Sequence, residues 1–125
     1  MYNYRDLKIW QVSMDLYIDI HRFTQTFPKF EQYELASHIR KTALSIPSNI
    51  AEGSGRKTTK EYMRFLDIAN GSLSEFETQL EAAHRLGYIQ EIHPYLSKIA
   101  QIRSMLAGLR KSLAAKLSEA DRGKE

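Results

Sequence analysis

An apolar stripe, Tyr62, Leu66, Ala69, Leu73, Phe76, Leu80 and Ala83, constrains this chain most, because its members stand alternately four and three residues apart. That spacing keeps one side of an α-helix apolar through about six turns, the seam of a helix packed among other helices. Leu35, Ile39, Ala43, Ile46 and Ile50 repeat the pattern, and Tyr95, Ile99, Ile102, Leu106, Leu109 and Leu113 repeat it again. No segment alternates with period two. The expected class is therefore all-α.

The punctuation divides the chain into four helices, expected near 6–26, 33–52, 59–86 and 94–117. Asp6 suits the first N-cap, and Thr58 with Glu61 reads as a capping box. Gly87 is placed to end the third helix in a left-handed cap, with Tyr88 or Ile89 folding back on the last turn. Pro47 falls inside the second helix, where a missing amide and a crowded ring predict a kink near 43–47 or a break into two short helices. Connections of six or seven residues make consecutive helices antiparallel neighbours. The expected architecture is an up-down-up-down antiparallel four-helix bundle, one domain over 1–125, ordered from about 6 to 117, with a frayed polar tail at 118–125.

The first helix carries apolar residues on two sides. Leu7, Trp10, Met14, Tyr17 and Ile18 fall on one, and Ile9, Val12, Leu16, Ile20, Phe23 and Phe27 roughly opposite. A single bundle core requires an apolar arc of roughly 100°, so the excess predicts a second partner and hence a homo-oligomer.

Other classes fall away on composition and spacing. With 125 residues and no cysteine, the chain holds one core, no disulfide framework, no thiolate metal site and no Cys nucleophile. The longest charge-free run, 42–51, is too short for a membrane span, and Met1–Asp6 lacks the features of a secretion signal, so a cytoplasmic location is expected. Glu81 and His84 form one Glu-x-x-His element, but a bundle metal site needs two with further inward carboxylates, so no metal and no cofactor is expected. Gly53-Ser54-Gly55-Arg56-Lys57-Thr58 resembles a phosphate loop only superficially: Arg56 and Ala51 stand where the nucleotide-binding pattern requires glycines. Ser45, Ser48, Ser54 and Ser72 have no His and acid at motif spacing, and the reading is of a protein that is not an enzyme.

Charge is unevenly distributed. The overall balance is +3, but residues 37–64 carry six basic groups against two acidic, residues 65–91 one against five, and residues 92–125 seven against three. Arg40, Lys41, Arg56, Lys57 and Lys60 are expected to cluster near one end of the bundle, with Arg64 on the face of Lys57 and Lys60 and with Arg103, Arg110, Lys111 and Lys116 along the fourth helix. A glycine-rich turn feeding a helix N-terminus also presents amides to an anion. Together these predict a polyanion such as RNA or DNA as partner. The competing expectation is pairing of the basic groups with Asp67, Glu75, Glu77 and Glu81 between subunits.

The segment Ser45-Ile46-Pro47-Ser48-Asn49-Ile50-Ala51-Glu52-Gly53-Ser54-Gly55-Arg56, followed by Phe65-Leu66-x-x-Ala69-x-Gly71-Ser72-x-x-Glu75, resembles a known family. These are four-helix-bundle proteins encoded in intervening sequences of bacterial large-subunit (23S) ribosomal RNA genes. Leu7-x-x-Trp10, Phe27-Pro28, Leu35 and Ile39-Arg40 fit as well, and the likeness extends over about 6–117. It implies a ring-like homo-oligomer, pentameric in known forms, with relatives among accessory proteins of diversity-generating retroelements that partner a reverse transcriptase and bind nucleic acid through a basic surface. The rival expectation is a protein-interaction scaffold. It implies no catalytic residues. Within the motif, Asn49 and Glu52 are expected to satisfy backbone or Arg partners at the kink of Pro47, and Gly53 to permit the turn.

Overall fold

The computed structural model describes residues 3–123, with side chains to Asp121. Four helices carry the chain: α1 (Lys8–Phe23), α2 (Leu35–Ser54), α3 (Thr59–Arg85) and α4 (His93–Gly123), with short 3₁₀ turns before and after α1 and at Lys29–Glu31. Among the described residues there is no strand. α1 packs on α2 and α4, and α3 on α2 and α4. Arg110 pairs with Asp67 at 2.6 Å, and Arg103 reaches Ser74 at 3.1 Å and Glu77 at 2.7 Å, so partners descend along α4 as they ascend along α3.

The stripes form the core. Leu66, Ala69, Leu73, Phe76, Leu80 and Ala83 of α3 are essentially solvent-free, as are Ile39, Ile46 and Ile50 of α2 and Ile99 and Ile102 of α4. Burial of whole side chains of this size is the dominant favourable term in folding.

The helix ends follow from local chemistry. Thr58 Oγ1 accepts the Glu61 amide at 3.1 Å and caps α3. At the other end Gly87 takes φ +85°, the Tyr88 amide bonds the Ala83 carbonyl at 2.9 Å and the Gly87 amide bonds His84 at 3.0 Å, the closure expected of this glycine. α1 starts later than the sequence predicts: Asp6 ends a 3₁₀ turn capped by Asn3, and Leu7 is the N-cap. α4 passes Leu117, where the sequence reading ends it, and stays helical to Gly123. This corrects the expected fraying from 118 as far as 123; residues 124–125 lie outside the described ones. Alanines at 114, 115 and 120 support helix without needing a core.

Two further expectations are resolved in part. Of the kink or break expected at Pro47, the break is absent: α2 is one continuous helix. Before and after the proline Thr42 Oγ1 donates to His38, Ser45 Oγ to Thr42 and Asn49 Nδ2 to Ser45, at 2.9, 2.6 and 2.7 Å, so side chains bond carbonyls of the turns that lead into Pro47. The second face of α1 is largely covered within the chain. Trp10 and Tyr17 pack against the core, and Trp10 meets Tyr4 edge-on at 5.2 Å. Ile18 alone among the large apolar residues of α1 stays exposed. A helix flanked by two neighbours requires a wider apolar arc than the single-core rule allows.

Candidate nucleic-acid interface

The α2–α3 junction holds the densest basic group. α2 closes at Gly55, whose amide bonds Glu52 at 3.3 Å, and the Arg56 amide bonds Gly53 at 3.1 Å. This turn projects Arg56 back over α3, with its guanidinium carbon 4.6 Å from the Phe65 ring centroid. Arg64, on the preceding residue of α3, brings its guanidinium carbon to 5.4 Å from the same ring. Phe65 therefore serves as a shared apolar platform for two cations, an arrangement that orients guanidinium planes while leaving them in water. Sequence reading named Phe65 only within the family motif and gave it no role at the site, because it lies one position off the stripe.

The two arginines are partly neutralised, Arg56 by Glu52 at 3.1 Å and Arg64 by Glu61 at 3.3 Å. Lys57 and Lys60 are exposed and, among the described residues, form no ion pair. They carry the uncompensated positive charge of the junction. One amide of the expected anion cradle, that of Glu61, is taken by Thr58, and Glu61 places a carboxylate in the first turn.

Arg40 and Lys41 do not join this group, which corrects the expected cluster. Both lie in the first third of α2, about 20 Å along the helix from its end at Ser54. Arg40 is half-buried and committed: Nε donates to Thr24 Oγ1 at 2.9 Å, and Nη2 donates to the Gln32 carboxamide. Gln32 in turn donates to the carbonyls of Thr24 and Phe27. Arg40 thus fastens the α1–α2 connection. Lys41 is exposed on its own.

The other singled-out residues have structural occupations. Asn49 bonds the Ser45 carbonyl and Glu52 pairs with Arg56, as expected. Gly53 lies inside α2, not in the turn, and is buried against Tyr62 and Phe65 of α3. Asp67, Glu77 and Glu81 pair within the chain, with Arg110, Arg103 and Arg85 respectively. The bidentate Asp67 contact raises the Arg110 pKa. His84 donates from Nδ1 to the Ile89 carbonyl at 2.8 Å and closes the end of α3. No helix is long and apolar enough, among the described residues, to cross a membrane.

The family described as 23S rRNA-intervening sequence protein matches residues 5–108. No curated protein matches the chain.

Proposed function

The chain belongs to the 23S rRNA-intervening sequence protein family, and from that premise we propose a non-enzymatic, cytoplasmic homo-oligomer that binds structured RNA or another nucleic acid through phosphate contacts. The subunit is an up-down-up-down antiparallel bundle with α2 bent at Pro47, and five copies form the ring, as in known relatives. The observation that carries the binding reading is the α2–α3 junction, where Lys57 and Lys60 stand unpaired beside Arg56 and Arg64 on Phe65. Continuing the Asp67–Arg110 register toward the start of α3 brings Lys116 level with Lys60, which widens the basic end. Contacts of this kind position a phosphate backbone without reading sequence, and each displaces condensed counterions. Arg40 is excluded from the contacting set by its bonds to Thr24 and Gln32.

The test is RNA affinity of the Arg56→Glu/Lys57→Glu/Lys60→Glu variant. A loss of at least tenfold at low salt, in a protein that still assembles, supports the reading; unchanged affinity overturns it. The second reading is a protein-interaction scaffold or accessory subunit, with a reverse transcriptase or another protein as partner. It is favoured by the two glutamates that already neutralise Arg56 and Arg64. Capture of a partner that survives nuclease treatment, by a protein with no RNA affinity, supports it.

A further inference from the structure

Phe30 and Tyr33 are the most exposed large hydrophobic residues described, at 73% and 89%, and they stand on the connection between α1 and α2. They are not on a loose loop. Glu31, between them, accepts the Tyr88 hydroxyl at 2.9 Å. Gln32, also between them, donates to Thr24 and Phe27 at 2.9 and 3.0 Å and accepts from Arg40. Four hydrogen bonds thus fix the two residues that separate the aromatic pair, and their effect is to hold two rings in water at set positions. Rigid, pre-placed aromatics at low entropic cost are what a protein interface uses as anchors.

A receptor of matching character lies beside this connection. Between α1 and α4 a groove of about 520 Å³ is walled by Leu16, Phe23, Pro94 and Tyr95. An adjoining hollow of about 360 Å³ continues it past Tyr88. Asp19, Arg22 and Lys98 stand on the rim, and none makes an ion pair among the described residues. The aromatic pair is flanked by Lys29 and by Glu34, which are exposed and likewise unpaired. The charges match crosswise: Glu34 suits Arg22 and Lys98, and Lys29 suits Asp19.

We propose that Phe30 and Tyr33 of one copy of this chain seat in the α1–α4 groove of a second copy, with Glu34 beside Arg22 and Lys98. The projection and the groove share no residue, so the contact is heterologous and its repetition in one direction builds a ring or filament. This rests on the homo-oligomer reading above and adds which surfaces meet. It also accounts for two exposed rings that nothing in the subunit covers.

The test uses two variants of the full chain whose changed side chains lie on the surface: Phe30→Ser/Tyr33→Ser, which lacks the projection, and Arg22→Glu/Lys98→Glu, which spoils the groove. Each is checked for native helicity by circular dichroism and sized by light scattering. Each alone should have the mass of one chain, whereas an equimolar mixture should give a two-chain species, because one intact projection then meets one intact groove. As a second route, the Phe30→Cys/Lys98→Cys chain, in an otherwise cysteine-free background, should give a ladder of covalent multimers on oxidation, and neither single variant should. A wild-type protein that is itself a single chain in solution overturns the homo-oligomer reading and the proposal with it. A multimeric wild type whose Phe30→Ser/Tyr33→Ser variant stays multimeric overturns only the proposal. So does a mixture of folded single-chain variants that does not pair.

Discussion

Gly53 and Phe65 approach so closely that a Cβ added to Gly53 would stand 2.7 Å from the Phe65 Cβ. This contact sets the spacing of α2 and α3 at the junction where Arg56 folds over the same Phe65 ring. The glycine therefore acts on the basic cluster through packing, although its backbone is ordinary helix.

Gly53→Ala should lower stability even though alanine is the better helix former by about 1 kcal/mol, because overpacking at a fixed helix contact costs about 1–3 kcal/mol. Gly71 supplies the control. It lies in α3 with open space around it, so Gly71→Ala should raise stability by up to about 1 kcal/mol. Urea unfolding of the two variants checks the opposite signs.

Arg40→Ala should cost about 2 kcal/mol, since it strips charge-assisted bonds from Thr24 and Gln32 in a half-buried site. RNA affinity and its salt dependence should not change. Lys57→Glu/Lys60→Glu should behave the opposite way, with stability near wild type and weakened RNA binding. Unfolding curves beside binding isotherms separate the two roles.

The Tyr88 hydroxyl donates to Glu31, and that bond first, then burial and the carboxylate charge, raises its pKa above the ordinary tyrosine value of 10.0. A raised folded value means that the protonated form is favoured by folding. Its stabilising effect is complete below pH 10 and is lost as pH rises through the folded value. NMR titration with ring-labelled tyrosine should show Tyr88 ionising above the ordinary value of 10.0, and Glu31→Ala should lower its midpoint toward that value.

The architecture was legible because a four-three stripe admits few other structures: Leu66 to Ala83 are buried as the spacing requires, and Gly87 turns left-handed where the stripe stops. The site was legible only in part. Arg56, Lys57, Lys60 and Arg64 are close in sequence, and one turn keeps them together. Arg40 and Lys41 were grouped with them by net charge, which ignores that α2 itself separates them by about 20 Å. Gly53 looked like a turn residue because its need for no side chain comes from Phe65, twelve residues on, and periodicity does not register contacts between helices. Phe30 passed unremarked in the first connection and Tyr33 as the opening of the second helix, which begins at Leu35, since exposure of an aromatic residue is a property of the folded surface and not of its neighbours in sequence.

The central claim is that the α2–α3 junction binds a phosphate backbone. Fluorescence anisotropy of a structured RNA at about 50 and 200 mM salt, with wild type, Arg56→Glu/Lys57→Glu/Lys60→Glu and Arg85→Glu, tests it most directly. The account predicts that wild type and Arg85→Glu lose affinity steeply with salt while the triple variant binds at least tenfold more weakly with a flatter dependence. Equal affinity and equal salt dependence in all three proteins would contradict it.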